Sequence, residues 1–222
     1  MITIDKTIYD ADSIQSLDAR SHVRLRSGMY IGDNATPNQL LLEIFSNALD
    51  EHNIGHGNTI EVEIREDNSV RILDNGQGFP IDEMRDDGKS VFEAAFSVVN
   101  TSGKFSDDSV YGGSALGLNG LGAKISNFLS KKFYAYTYNG GKKESIYFED
   151  GILVSRKVEK CDKKLHGTVV EYTPDPQFFG TPQTDANYFL YFFKDITCLC
   201  PNLEIDFKNG NKSYHIKSQH GI

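Results

Sequence analysis

Apolar and polar residues recur along this chain in two periods, and the switches between them mark out its elements. From Pro37 to Asn53 the spacing is helical. At about 100° per residue, Leu41, Ile44, Phe45, Ala48 and Leu49 fall on one side, while Glu43, Asn47, Asp50 and Glu51 gather on the other. Thr36-Pro37, a cap residue before a proline at the first helical position, predicts the start, and Gly55 and Gly57 predict the end. Period two follows in Thr59-Ile60-Glu61-Val62-Glu63-Ile64 and in Ser69-Val70-Arg71-Ile72-Leu73, the strands of a hairpin turned at Asp67-Asn68. Residues 1–16 read as an extended arm, followed by a short helical stretch to Arg26 and a turn from Ser27 to Gly32. Further on, the pattern predicts a helix from Gly120 to Ser130 with Leu121, Ile125, Phe128 and Leu129 inward. Strands follow at Lys132–Tyr138, Glu144–Glu149, Gly167–Thr173 and Leu203–Phe207, with a helix from Asp185 to Leu199 before the last. Helices with a mixed or antiparallel sheet make this an α+β chain, a two-layer sandwich.

The polar face of the first long helix has two readings. Amphipathic helices commonly turn carboxylates to solvent, but folding does not require four polar groups in one sector, and three later motifs favour chemistry.

Asp74-Asn75-Gly76-Gln77-Gly78-Phe79-Pro80 follows the second strand directly. An aspartate leaving a strand accepts a hydrogen bond from an exocyclic amine, and glycines let backbone approach a flat ring; the same letters also make an ordinary turn. Residues 100–122, rich in Gly, Ser and Asp, exceed an ordinary connection and read as a functional lid. The lid ends in Gly117-Leu118-Asn119-Gly120-Leu121-Gly122-Ala123-Lys124, where successive N–H groups entering a helix form an anion site. This is neither a Walker A loop, which needs G-K-S or G-K-T, nor a Rossmann fingerprint, which follows a strand. Gly167-Thr168 entering a strand says little alone.

At 222 residues the chain is sized for one domain, and its net charge of −8 argues against a nucleic-acid surface of its own. Lysines at Lys131-Lys132, Lys142-Lys143 and Lys157 to Lys164 read as solvated turns. Three cysteines, odd in number and without C-x-x-C spacing, fit a reduced cytoplasmic protein. Neither a signal peptide nor an apolar run long enough for a membrane span is expected.

In their order, E-x-x-x-N-x-x-D-E, D-x-G-x-G, a lid closing in G-x-x-G-x-G, and G-T resemble the GHKL family of ATPases. That family includes gyrase-type topoisomerases, MutL repair proteins, a heat-shock chaperone and histidine kinases. Arg24-Leu25-Arg26-Ser27-Gly28-Met29-Tyr30-Ile31-Gly32-Asp33 and Ser102-Gly103-Lys104-Phe105 narrow the resemblance to the ATPase domain of gyrase B and topoisomerase IV ParE subunits. It covers essentially the whole chain and implies the Bergerat-type fold with a mixed, mostly antiparallel sheet, binding ATP and Mg²⁺.

By this resemblance Glu43 is the general base toward water, and Asn47 the Mg²⁺ ligand. Asp74 receives the adenine amine, supported by Thr168, with Gly76, Gly78, Phe79 and Pro80 around the ring. Asp50 and Glu51 order the rim, and Gly117, Asn119, Gly120, Leu121 and Gly122 wrap the phosphates. Lys104 and Tyr111 reach the nucleotide from the lid. Tyr9 of the arm reaches a partner's site, so ATP favours a homodimer, a gate for DNA. A cleavage subunit of A type completes an A2B2 complex, DNA binds the full complex, and no membrane is involved. The transducer and DNA-cleavage domains lie outside residues 1–222, and with them the transducer lysine, so ATP binding with slow hydrolysis is expected. Gln77 and Asn139 stand where gyrase B has arginines, which implies weak aminocoumarin binding with intact ATP binding. A competing reading is an ATP-regulated binding module, a MutL-like clamp or a chaperone; Glu43 and the arm disfavour a histidine kinase.

Overall fold

Alternation within the strands decides which side of the sheet the helices cover. The computed structural model describes residues 17–32, 35–99, 120–180 and 183–218. Its strands are β1 (Thr59–Ile64), β2 (Val70–Asp74), β3 (Ser130–Asn139), β4 (Lys142–Glu149), β5 (Ile152–Lys160), β6 (Gly167–Pro174), β7 (Glu204–Asn209) and β8 (Lys212–Lys217). They form one sheet in the order β5-β4-β3-β6-β2-β1-β7-β8. β1 and β7 run parallel and every other neighbouring pair antiparallel, which gives the mixed, mostly antiparallel sheet expected.

The helices are α1 (Ala19–Leu25), α2 (Gly28–Ile31), α3 (Asn38–Asn53), α4 (Val91–Ser97), α5 (Gly122–Phe128) and α6 (Ala186–Leu199). Ile60, Val62 and Ile64 of β1 are buried while Glu61 between them is exposed. On the covered face aromatic rings join helices to strands. Phe45 of α3 meets Phe193 of α6 at 4.9 Å between centroids, Phe193 meets Phe207 of β7 at 5.3 Å, and Phe96 of α4 meets Phe133 of β3 at 5.2 Å. Truncating one such buried ring to alanine costs about 3–5 kcal/mol. α5 is wedged between α3 and α4, where Ser126 Oγ donates to the Leu40 carbonyl (3.3 Å) and Asn127 Nδ2 to that of Phe96 (3.0 Å). Arg24 of α1 fastens its far end, donating to the Phe128 carbonyl and to Asp175, both at 2.8 Å.

Several sequence expectations shift. Pro37 itself occupies the cap position of α3, without a side-chain cap, so the helix starts one residue later than Thr36-Pro37 predicts. The turn at Ser27–Gly32 contains the short helix α2. α5 is shorter than Gly120–Ser130, and its buried residues include the polar Lys124, Ser126 and Asn127, while Leu121 and Ile125 are half-buried. The reason is tertiary: a helix enclosed by neighbours buries polar side chains that find carbonyls. Lys131, Lys132, Lys142, Lys143, Lys157 and Lys160 belong to strands; only Lys163 and Lys164 lie in a turn.

Three elements escaped the pattern. β5 is exposed along its length, and a strand with neither face buried has no alternation to read. β8 buries only Ile216. α4 is too short to display a helical period, and its start is marked in the structure by Ser90, which accepts the Glu93 N–H at 3.0 Å as a capping serine does.

Candidate active site

Four pieces of chain meet at one end of the central strands of the sheet: the polar face of α3, the loop leaving β2, the facing ends of β3 and β6, and the start of α5. Glu43, Asn47 and Glu51 are half-buried and Asp50 is 1% exposed, so this side of α3 is not a solvent face. Gln39 Nε2 donates to Glu43 Oε1 at 3.0 Å, one helical turn away. The other oxygen lies over Gly122, where a Cβ would come within 1.8 Å of Oε2. Only glycine lets the carboxylate reach the first turn of α5, whose N–H groups have no partner within the helix. Asn47 Nδ2 donates to the Glu43 carbonyl at 3.1 Å. Gly120, at φ +58°, turns the chain into α5, and Leu121 precedes the first helical residue.

Asp74 ends β2 in a small recess lined by Ala48, Glu51, His52, Asn75 and Gly76. Its Oδ1 accepts the Gly76 N–H at 2.9 Å. Desolvation pushes the carboxyl up to about 7, and the charge of Glu51 adds to the rise; N–H groups of Gly76 and Thr168 and the ring of His166 pull the other way. A carboxyl brought near neutrality in a recess is a mark of functional sites. Thr168 stands opposite Asp74 in the β2–β6 register.

The loop after Asp74 is held by contacts that admit no side chain. Gly78, at φ +73°, would place a Cβ 2.3 Å from the Tyr138 carbonyl oxygen, and Gly167, at φ +106°, one 2.1 Å from that of Asp74. Thr137 ties the pieces together: fully buried, its Oγ1 accepts the Phe79 N–H at 2.8 Å and donates to the Gly167 carbonyl at 3.2 Å. His166 Nδ1 lies 2.8 Å from the Gly76 carbonyl, and Asn75 Oδ1 accepts the N–H groups of Asn58 and Thr59 at 2.9 and 2.8 Å. Glu51 Oε2 accepts the Gln77 N–H at 3.3 Å, and Asn139 Nδ2 donates to the Gln77 carbonyl at 3.3 Å. Phe79 turns its ring onto Phe92 and Phe96, at 5.1 and 6.3 Å between centroids, while Pro80 is half-buried.

The structure thus brings Gly122 and Asn47 against Glu43 toward one end of the polar face of α3, and Gly76, Gly78, Phe79 and Thr168 about the end of β2 at Asp74. Tyr9, Lys104, Tyr111, Gly117 and Asn119 lie outside the described residues. Sequence reasoning missed Gln39, Thr137 and His166. For Thr137 a signal existed, a polar residue in alternation with Phe133 and Ala135 on the buried side of β3. A wider groove on the opposite sheet face, lined by residues such as Glu61, Glu63, Arg71, Lys208 and His215, is laced with ion pairs and contains none of the expected site residues.

Residues 32–176 match the family described as histidine kinase-, DNA gyrase B-, and HSP90-like ATPase. The chain is 36% identical to the B-type subunit of DNA gyrase from Thermotoga maritima over 211 residues, which is 92% of this chain and 32% of that protein. It is 34% identical to the B-type subunit of DNA topoisomerase 4 from Salmonella typhimurium over 204 residues, 90% of this chain and 32% of the other. With the B-type subunit of the type 2 topoisomerase from Aquifex aeolicus the identity is 33% over 210 residues, 94% and 26% of the two chains. The chain therefore spans about a third of the length of the curated relatives it matches. Among the described residues no helix is long and apolar enough to cross a membrane.

Proposed function

Because the chain belongs to the family of histidine kinase-, DNA gyrase B- and HSP90-like ATPases, we propose that it is the ATP-binding and ATP-hydrolysing part of the B-type subunit of a cytoplasmic type II DNA topoisomerase. One observation carries this reading: the Glu43 carboxylate lies over the glycine that begins α5, while Asp74 waits in a recess among glycines that a Cβ would fill. The site is a cradle for a flat ring at one end and for phosphates at the other.

Ionised Asp74 accepts the exocyclic amine of adenine, with Thr168 beside it and the backbone of Gly76 and Gly78 against the ring. Phe79 and Pro80 close that side, and Asp50 and Glu51 order the rim. Phosphates would lie along Gly120, Leu121 and Gly122, where N–H groups entering a helix favour anions, and by the family resemblance Gly117 and Asn119 would join in holding them. Glu43 takes the proton of the attacking water; the Gln39 amide holds Oε1 and so assigns the proton to Oε2. The Asn47 amide nitrogen donates to the Glu43 carbonyl, which fixes the side chain beside Glu43, where it would ligate Mg²⁺. When bound there, that ion would supply charge neutralisation at the phosphates, with Asn47 as its protein ligand.

Lys104 and Tyr111 act from the lid, and Tyr9 from the arm of a second copy. Nucleotide binding then closes a homodimer around DNA, in an assembly with an A-type cleavage subunit. The relatives' names support this reading over a clamp or a chaperone.

The test is Glu43→Ala in the full-length protein. We expect calorimetry with a non-hydrolysable ATP analogue to find affinity retained, and turnover to fall by about 10²–10⁴-fold, the range for removing a general base. Undiminished turnover would remove Glu43 from that role.

A further inference from the structure

Glu51 ends the polar face of α3, and two neighbours share one of its oxygens. Oε2 accepts the Gln77 N–H at 3.3 Å, and Nδ1 of His56 lies 3.5 Å from the same atom. Gly76 encloses the carboxylate from the third side, since a Cβ there would lie 2.9 Å from Oε2. The Glu51 side chain is 17% exposed and that of His56 31%. Nδ1 of His56 is buried and finds no hydrogen-bond partner among the described residues. A ring nitrogen facing a carboxylate donates to it as Nδ1–H; the neutral tautomer does so without charge, and the imidazolium adds a cation.

We propose that His56 is a positioning residue of the nucleotide site: its protonated ring fixes the Glu51 carboxylate, which in turn anchors the loop from Asp74 to Gly78 through the Gln77 N–H. The inference rests on the nucleotide reading above. Gln77 offers Glu51 a backbone N–H and no side-chain charge, whereas His56 faces it with a ring that carries charge when protonated. The other titratable groups facing the pair are Asp74 across the recess, His52, whose Nδ1 pairs with the Gly57 carbonyl, and His166, whose Nδ1 pairs with that of Gly76. Asp74 feels the Glu51 charge directly, and a cation at His56 offsets that charge.

The experiment compares the affinity of the full chain for a non-hydrolysable ATP analogue with that of His56→Gln, at pH 6.0 and pH 8.5. The ratio of the two proteins at each pH isolates what His56 contributes, directly through Glu51 or by way of Glu51 on Asp74. At pH 6.0, where an imidazole carries charge, we expect His56→Gln to bind about five-fold more weakly, the worth of a partly exposed ion pair. At pH 8.5 the two should converge. In a Glu51→Gln background the His56 substitution should change nothing at either pH, and adding Gln77→Arg to His56→Gln, a fixed cation beside the carboxylate, should restore binding at both. A ratio that is the same at both pH values overturns the inference, because lost packing does not titrate. If His56→Gln melts below the assay temperature, Gln77→Arg alone decides: it should tighten binding at pH 8.5 more than at pH 6.0, and an equal effect overturns the inference. Failure of the unaltered chain to bind the analogue at either pH would instead defeat the nucleotide reading.

Discussion

Asp74 shows what a single residue gives up for its site. Its carboxyl is pushed up to about 7, chiefly by desolvation, from an ordinary value of 3.8. The folded protein therefore holds this proton more tightly than the unfolded chain does. The resulting stability is fully present below about pH 3.8 and lost as pH rises through about 7. At pH 8 the ionised, half-buried carboxylate destabilises the nucleotide-free protein. We expect Asp74→Asn, which keeps an acceptor for the Gly76 N–H, to raise stability at pH 8 by about 1–2 kcal/mol after discounting for solvent access, a gain of roughly 2–8 °C in Tm. The gain should shrink toward pH 5, while calorimetry at pH 8 finds nucleotide affinity reduced at least ten-fold. Equal affinity would remove Asp74 from the adenine contact, and a lower Tm at pH 8 would contradict the sign of the shift. Thr137→Val tests the brace beneath the same loop. It strands the Phe79 N–H and should cost about 1–3 kcal/mol in chemical denaturation; an unchanged midpoint would show that Thr137 does not hold the loop.

Among the elements, α5 carries the sharpest conflict between local preference and use. Glycine at the start of a helix is a poor helix former, and alanine there improves propensity by up to about 1 kcal/mol. Yet the Cβ of Gly122→Ala would meet Glu43 Oε2 at 1.8 Å. We expect this variant to keep its fold and melt no lower than the parent, while hydrolysis falls at least ten-fold as the carboxylate is displaced. Unchanged turnover would show that the Glu43–Gly122 contact has no part in the reaction. The same helix marks a limit of sequence reading. Its glycines and following turn announce it, but Lys124, Ser126 and Asn127 are buried because α3 and α4 close over it, which no periodicity encodes. By contrast β1, β2 and α3 were legible almost to the residue, each having one face on the core and one turned away.

For the whole molecule, the proposed gate makes an association claim. Full-length protein should sediment as a heavier species with a non-hydrolysable ATP analogue than without it, and removing residues 1–16 should abolish the difference; monomers under every condition would sink the arm-mediated dimer. Sequence by itself determined the long helix with its polar face, the hairpin, the class of fold and the order of the motifs, because one-sided burial writes its period into the chain. Tertiary structure decided the rest. Pairing across the sheet set Thr168 opposite Asp74, and close approach of backbones made Gly78 and Gly167 obligatory. Packing of α5 against α3 brought Gly122 beneath Glu43, and the turn after α3 set His56 against Glu51. These are relations between residues distant in sequence or turned by a loop. Hydrophobic periodicity describes each segment alone, so it cannot state which partner a polar side chain will meet.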